Sequence, residues 1–399
     1  MKIHAFKFLF AVFCFTMLSS CINKFNETEI KKISITQSNP DTKASDLFYL
    51  QGFTPMEFGA GLDWRGISKI LFKEDGTMII LNYIGDKQDV WLVDQRSGKT
   101  LLKIGEQNID DNGYEGVNDI ILDQGEIKFC VAGKMAFMNY DLGGTLRSCV
   151  KTGVFGEEME KTSAGEYVVY NEYNSTKISG LNHLVFYDKD GNITKRISPY
   201  LASQDGNGYD FAGSLTSSEG LWFNPPFCDT VYEIAGNKLH PRYFFDFGQT
   251  AMPDNVKNKK LTGWDTNKFS FLSKGFAKIG RFIIFEFYDN QKVRLGIYDE
   301  STEQFVGFGD FRQDYLFELL RLGDIFPKDA QSFALQIRPS RLNYLLSKNL
   351  IDLAALEYHN PGLTVALKNS AQNNVPLILY VGINANAQVN APTDQVGSK

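Results

Sequence analysis

The sequence has few of the side chains that bind metals or form covalent links, with four histidines and five cysteines among 399 residues. The histidines are scattered, and neither HExxH nor CxxC occurs, so the ligand spacings typical of zinc sites are missing. Gly98-Lys99-Thr100 ends like a phosphate-binding loop, but Val93 stands where that motif needs its first glycine. We therefore expect no metal and no cofactor, and we assign no catalytic residue.

The sequence also has no excess of basic charge and almost no long apolar runs. Lys and Arg number 41 against 47 Asp and Glu, and no block of basic residues occurs, which argues against nucleic acid as a partner. The unbroken apolar run at residues 8–15 is much shorter than the ~20 residues that span a bilayer. No second stretch suggests a transmembrane helix.

The first 21 residues have the order of charges and apolar residues that is typical of an export signal. Lys2 and Lys7 precede the apolar run, and small residues follow it up to Cys21,. The tetrapeptide Leu-Ser-Ser-Cys at 18–21 resembles the bacterial lipobox, whose cysteine is lipid-modified and becomes the first residue. Two or three acyl chains, at ~0.8 kcal/mol per buried methylene, hold a protein on a membrane almost permanently.

We therefore predict a signal peptide over 1–21 and lipidation of Cys21. The mature protein would carry a net charge near −8, because Lys2 and Lys7 are lost from a chain of net charge −6. We expect it in the cell envelope, attached to the outer membrane on the periplasmic face or at the cell surface. The alternative is an ordinary signal peptide with a chance cysteine.

Three cysteines remain after the signal and the lipidated residue, namely Cys130, Cys149 and Cys228. Cys130 and Cys149 lie in apolar, strand-like runs. A disulfide between them is compatible with an oxidising compartment, but buried free thiols are the favoured interpretation.

A repeat with a period near 47 residues runs through the chain. Five segments share two alternating apolar runs around a turn, and their equivalent residues are Asp94, Asp141, Asp188, Ala235 and Asp299, separated by 47, 47, 47 and 64 residues. Another predicted strand pair precedes these hairpins. Four antiparallel strands in a unit of this length are typical of a propeller blade.

The predicted fold class is therefore all-β, a six-bladed β-propeller of four-stranded antiparallel blades. Residues 341–358 have leucines at helical spacing,, which predicts a helical insertion in the last blade, and Phe48–Leu50 is a candidate closing strand. The predicted organisation is a signal peptide at 1–21, a flexible tether at 22–45, the propeller at 46–385 and a disordered tail at 386–399.

Three segments resemble a known family, the six-bladed β-propeller lipoproteins of Bacteroides and its relatives. Residues 105–115 are similar to the family's G-x-G-P-G-E-(Y/F) segment, without its proline and with a longer loop. Residues 222–248 contain Asp-Thr-Val-Tyr-Glu-Ile and Asp-Phe-Gly, which resemble one of its blades, and 373–380 resemble its closing strand. The resemblance covers about residues 67–383 and implies a propeller and a lipid anchor, but no activity.

Candidate ligand-binding residues lie near the loops between strand groups, where propellers present binding faces. Exposed tryptophans stack on sugar rings, whereas a tryptophan at a blade junction packs in the core. Paired acids act as general acid and base only if they lie about 5–10 Å apart. The residues predicted for this face are Trp64, Trp222, Trp264, Asp63, Glu115 and Asp265.

The predicted function is a ligand-binding or protein-interaction scaffold in the cell envelope. Candidate ligands are a glycan, a peptide or an envelope protein. The alternative is a glycan-active hydrolase or lyase that uses acidic residues at the propeller channel. A deep axial pocket with carboxyl groups of shifted pKa would favour the enzyme, and a shallower aromatic face would favour the binding protein.

Overall fold

Six antiparallel sheets make up most of the computed structural model, which describes residues 30–35, 42–57, 64–84, 87–104, 116–207, 212–260, 266, 268–307 and 314–384. Cys21, the predicted signal peptide and the predicted tail at 386–399 lie outside the described residues. Five sheets are four-stranded blades, and the sixth is a four-stranded blade with one additional strand at its outer edge, so the predicted six-bladed propeller is confirmed.

The strands of blades 1 to 3 follow one another along the chain from the innermost to the outermost. Blade 1 contains β3 (Trp64–Phe72), β4 (Thr77–Ile84), β5 (Lys87–Asp94) and β6 (Thr100–Ile104). Blade 2 contains β7 (Val117–Asp123), β8 (Glu126–Val131), β9 (Ala136–Asp141) and β10 (Leu146–Lys151). Blade 3 contains β11 (Glu158–Lys161), β12 (Tyr167–Tyr170), β13 (Asn182–Tyr187) and β14 (Ile193–Pro199).

Blades 4 and 5 repeat this order, and blade 6 departs from it. Blade 4 contains β15 (Ser214–Ser217), β16 (Leu221–Asn224), β17 (Thr230–Ala235) and β18 (Lys238–Asp246). Blade 5 contains β19 (Phe271–Ile279), β20 (Phe282–Asp289), β21 (Lys292–Asp299) and β22 (Gln304–Gly307). Blade 6 contains β23 (Asp324–Asp329), β24 (Ser332–Ile337), β25 (Leu377–Ile383) and, from the N-terminal part of the chain, β2 (Phe48–Pro55).

Both ends of the chain close the ring in blade 6. The strand β2 pairs antiparallel with β25, with Phe48 opposite Ile383 and Pro55 opposite Leu377. The predicted closing strand at Phe48–Leu50 is therefore present and extends to Pro55. The innermost strands contact one another in sequence, and β23 returns to contact β3.

The propeller has two different faces. At the first face, called the turn face, tight turns join the first strand to the second in each blade and the third strand to the fourth in blades 1 to 5. Asp94 and its four repeat equivalents lie on this turn face. At the connection face, each innermost strand begins and the longer links between blades lie. Asp94, Asp141 and Asp188 accept hydrogen bonds from backbone N–H groups of their own turns, which is how Asp stabilises such turns.

The helices are short, and three of them form the insertion predicted for the last blade. The helices whose bounds fall within the described residues are α1 (Ala44–Leu47), α2 (Asp254–Lys257), α3 (Phe317–Leu322), α4 (Pro339–Ser347), α5 (Leu353–His359) and α6 (Leu363–Asn373). The insertion α4–α6 lies between β24 and β25, and its buried Leu342, Leu345 and Leu356 belong to the largest apolar cluster. The helical pattern predicted over 341–358 is interrupted between Ser347 and Leu353.

None of these helices is long and apolar enough to span a membrane within the described part of the chain.

The region predicted as a flexible tether, 22–45, contains ordered structure. Residues Lys31–Ser34 form strand β1, which pairs in parallel with β18, so Lys31 lies opposite Tyr243 and Ser34 opposite Asp246. Ile33 is fully buried in an apolar cluster of blades 4 and 5. The prediction was wrong here because one buried isoleucine in a polar segment gives little periodicity, whereas the open edge of β18 supplies backbone partners.

Candidate functional site in the central channel

A cavity of about 710 Å³ lies along the propeller axis, between the innermost strands. Its size is in the range of small-molecule sites, about 300–1,000 Å³. Its charged lining residues are Lys69, Asp119, Glu157, Glu158, Glu160, Lys161, Lys274, Glu286, Asp324, Lys328 and Arg338. Apolar side chains, including Leu71, Phe72 and Phe326, line other parts of the wall.

Lys69 connects three blades inside this cavity. Its Nζ lies 2.9 Å from Asp119 Oδ1 and 2.8 Å from Glu160 Oε1, so the ammonium of blade 1 binds carboxylates of blades 2 and 3. Burial alone would lower the pKa of Lys69, but the two carboxylates raise it well above its ordinary value. The side chain is therefore a permanent cation that holds the two acids in place.

Side-chain oxygens also bind the backbone of neighbouring blades around the channel. Asp119 Oδ2 accepts a hydrogen bond from Met159 N at 2.7 Å, and Glu158 Oε2 accepts one from Leu215 N at 2.5 Å. An innermost strand has no strand on its channel side, so its free N–H groups need other partners. These carboxyl groups satisfy that need and tie adjacent blades together.

Glu158 is the first of two channel carboxyl groups without an ion pair among the described residues. Burial raises its pKa to about 7, an effect that Lys274 opposes only in part. Lys274 Nζ lies instead 3.4 Å from Glu172 Oε1. Near neutral pH, Glu158 therefore exists as a mixture of the acid and the carboxylate.

Replacing Glu158 by glutamine tests this protonation. Folding raises the pKa of Glu158 from its ordinary value of 4.5 to about 7. The unfolded chain therefore loses this proton at a lower pH than the folded protein does. As a result, the contribution of Glu158 to the free energy of unfolding decreases as the pH rises from 4.5 to 7,. Glutamine keeps an uncharged acceptor for Leu215 N–H. We expect Glu158→Gln to raise the free energy of unfolding by about 1–2 kcal/mol at pH 8 and to leave it nearly unchanged at pH 4.5.

Urea unfolding at the two pH values measures the difference, with the exposed Glu219→Gln as the matched control. An effect of equal size at pH 4.5 and pH 8 would contradict the raised pKa.

Glu286 is the second such carboxyl group, and it reaches the cavity from the second strand of blade 5. The pairing of β19 with β20 is irregular between Leu272 and Phe276, and Gly275 has φ +101° at this point. A Cβ on Gly275 would lie 3.2 Å from Glu286 Cγ, so glycine leaves room for the glutamate there. Burial, and then the charge of Asp324, raises the pKa of Glu286 to about 7.

The cations of the cavity are already engaged with other groups. Arg338 donates to Asp324 Oδ2 from Nε at 2.8 Å and lies 2.7 Å from it through Nη2. Lys161 contacts Asp123, and Lys328 lies 5.4 Å from the ring centre of Tyr380. Within the described residues, the cavity thus combines paired cations with two carboxyl groups, Glu158 and Glu286, that have no ion pair.

The structure places Trp222, one of the predicted ligand-face residues, in the core. Its side chain is 4% exposed, its Nε1 donates to Ser218 O at 2.8 Å, and its ring packs against Tyr243 and Phe276. Trp222 therefore packs in the core at a blade junction and does not present its ring to a ligand. Trp64 begins β3, but its side chain lies outside the described part of the structure. The other predicted site residues also lie outside the described residues, namely Asp63, Glu115, Trp264, Asp265 and the predicted lipidation site Cys21.

The predicted site residues did not include the channel groups Lys69, Asp119, Glu158, Glu160 and Glu286. One feature of the sequence could have identified such channel residues. It is a charged residue within the otherwise apolar first strand of a predicted blade, such as Asp119 in the segment 117–122. A charge in an otherwise apolar strand has to face a polar channel or a partner.

The three cysteines outside the first 21 residues are free thiols. Cys130 on β8 is buried, and burial raises its pKa, whereas Cys149 on β10 is exposed. The strand β9 lies between β8 and β10. The prediction of a buried free thiol is therefore confirmed for Cys130. For Cys149 it is wrong, because that free thiol is exposed.

Comparisons with known proteins identify a family and a shared fold. A protein from Bacteroides fragilis NCTC 9343, whose name assigns it to the exported proteins, is 13% identical, with a TM-score of 0.71 over 89% of this chain and 99% of its own. A member of the DUF4221 family from Bacteroides vulgatus is 10% identical, with a TM-score of 0.48 over 85% of this chain and 99% of its own. No curated protein matches the sequence significantly. The profile of a domain of unknown function, DUF4934, matches residues 36–380, and the chain belongs to that family.

Proposed function

We propose that this protein is a lipid-anchored propeller of the cell envelope that binds a small organic cation in its central channel. The observation that carries the proposal is the pair of channel carboxyl groups, Glu158 and Glu286, which have no ion pair among the described residues although the cations around them are engaged. An ammonium or guanidinium group is the chemical complement of such carboxylates.

The charge state of the two glutamates supports a cationic ligand. Burial raises the pKa of both to about 7, which is the response of a carboxyl group that lacks sufficient positive charge nearby. An entering cation would supply this charge and drive their ionisation. Phe72 and Phe276, which also line the cavity, provide apolar surface for the carbon chain of the ligand.

The location of the protein is inferred from its N-terminal sequence. The charge order of residues 1–21 and the Leu-Ser-Ser-Cys tetrapeptide support export and lipidation at Cys21,, and a structural neighbour is named as an exported protein. We place the propeller outside the cytoplasm on the outer membrane.

Calorimetric titration with spermidine tests the binding site. Each glutamate must lose its proton to bind the cation, so affinity is expected to rise roughly tenfold per engaged carboxyl between pH 6 and pH 8. Glu158→Gln and Glu286→Gln should each weaken binding at pH 8, and Glu219→Gln should not. Spermidine binding that neither channel variant weakens, or no binding at pH 8, would refute the proposal.

A glycan-active hydrolase or lyase is the second candidate, favoured by one observation. Carboxyl groups with a pKa near 7 in a cavity suit general acid and base roles, and Glu158 and Glu286 have this property. This function requires turnover of a polysaccharide with a bell-shaped pH profile, abolished by either Glu→Gln variant.

A further inference from the structure

The channel carboxyl groups without an ion pair lie near the connection-face end of the cavity. Glu158 is the first residue of β11, and the innermost strands begin at that face. Glu286 precedes Phe287, which pairs with Leu272, the second residue of β19. Asp324 begins β23 and is close enough to raise the pKa of Glu286. The described acids that lack a cation are thus gathered at one end of the channel.

The charged residues that line the turn-face end of the same cavity are lysines. Lys161 is the last residue of β11, and Lys328 is the fifth of the six residues of β23. Each lies three or four residue steps from the acid that begins its own strand, a distance of ~10–13 Å. Between the two ends, Lys69 binds Asp119 and Glu160, so the charges of this middle layer already have partners.

Lys328 is the lysine that can accept a charged ligand. Lys161 already contacts Asp123. Lys328 Nζ lies 5.4 Å from the ring centre of Tyr380, and the described residues give it no carboxylate partner. A ring face attracts an ammonium as a charge, but the ammonium also has three N–H donors. A carboxylate at this end of the channel would bind those donors.

We infer that the ligand is a zwitterion, with its ammonium at Glu158 and Glu286 and its carboxylate at Lys328. This inference rests on the proposed cation site and adds the class and the direction of the ligand. A linear amino acid with its two charges about 10 Å apart has this form, and so does an extended peptide of about three residues with free ends. A polyamine would instead place a second positive charge beside Lys328.

The wall between the two ends suits the uncharged body of such a ligand. Phe326 lies midway between Asp324 and Lys328 along β23 and lines the cavity, as does Phe276 of β19. Apolar side chains of this kind cover a hydrocarbon chain, while a few polar groups at the ends fix its orientation.

Calorimetric titration at pH 8 with three probes of equal chain length tests the inference. The probes are 8-aminooctanoate, octylamine and 1,8-diaminooctane. We expect 8-aminooctanoate to bind about tenfold more tightly than octylamine, because its carboxylate gains a charge-assisted hydrogen bond from Lys328. Trialanine, compared with its C-terminal amide, shows in the same way whether a peptide can supply the two charges.

Substitutions of Lys328 assign the gain to this side chain. Lys328→Met should remove the tenfold preference for 8-aminooctanoate and should not weaken 1,8-diaminooctane, because it removes a cation beside the second ammonium. A merely structural defect would weaken both probes. Lys328→Arg should keep the preference, and Lys189→Met, at an exposed position of the turn face, should leave all affinities unchanged.

The outcomes separate this inference from the proposed function. Equal binding of 8-aminooctanoate and octylamine, both weakened by Glu158→Gln, would overturn the zwitterion and keep the cation site. A preference that survives Lys328→Met would overturn it as well. If no probe binds, or if neither Glu158→Gln nor Glu286→Gln weakens binding, the proposed cation site is refuted together with the inference.

Discussion

Replacing Lys69 by methionine is expected to lower the free energy of unfolding by about 3–5 kcal/mol at pH 7, because it leaves neighbouring carboxylates without their cation. Asp119 and Glu160 are 3% and 7% exposed, and both bind Lys69 Nζ within 3 Å. Methionine keeps much of the side-chain volume, so the loss of charge dominates over a change in packing. Urea unfolding followed by tryptophan fluorescence measures the effect.

A second substitution separates charge from packing at this position. Lys69 is the one polar partner that the described structure gives to the Glu160 carboxylate, so Lys69→Met/Glu160→Gln removes one unpaired charge and should recover about half of the lost stability. Burial raises the pKa of Glu160, so acidification should also reduce the defect of Lys69→Met. A loss below about 1 kcal/mol in the single variant, or no recovery in the double variant, would show that the ion pairs add little.

Ending the chain after Pro376 is expected to abolish the cooperative unfolding of the propeller. The missing strand β25 pairs with β24 on one side and β2 on the other, and its Leu377, Leu379 and Val381 are fully buried. Each such side chain contributes about 1.5–3 kcal/mol through burial, and the lost ladders add to this. The sum approaches the 5–15 kcal/mol of stability typical of a domain.

Circular dichroism and limited proteolysis of the purified chain measure this loss, and a chain ending after Asn384 is the matched control. The control keeps β25 complete and should unfold like the full protein. A chain ending at Pro376 that unfolds cooperatively at the midpoint of the control would mean that blade 6 does not need its third strand.

The blades could be predicted from sequence because their cause is local. A hairpin needs alternating apolar residues and a turn, and Asp94, Asp141 and Asp188 each stabilise their own turn with carboxylate oxygens. The repeat period then gives the number of strands per blade. The strand β1 was missed because its stability comes from the distant edge of β18, which its own four residues do not reveal.

The channel site could not be predicted because its parts are far apart in the chain. Lys69 binds Asp119 and Glu160, which lie 50 and 91 residues later, and the blades alone bring them together. Glu286 lies on a second strand and reaches the cavity only where β19 is irregular and Gly275 leaves space. The tryptophans were predicted as ligand-binding residues because they lie near loops in the sequence. In the structure, Trp222 packs between blades instead.

The shared blade 6 has a consequence for the order of events while the new chain folds. Asn384 Nδ2 donates to Asp46 O, a contact that spans 338 residues, and a chain emerges from the ribosome with its N-terminus first. The ring therefore cannot close until residues up to β25 have emerged, and contacts of such separation form slowly. Until then the first blades exist as open sheets with unpaired edges, which are prone to aggregation and proteolysis. Chaperones would thus act on this protein mainly in the interval between the emergence of β2 and that of β25.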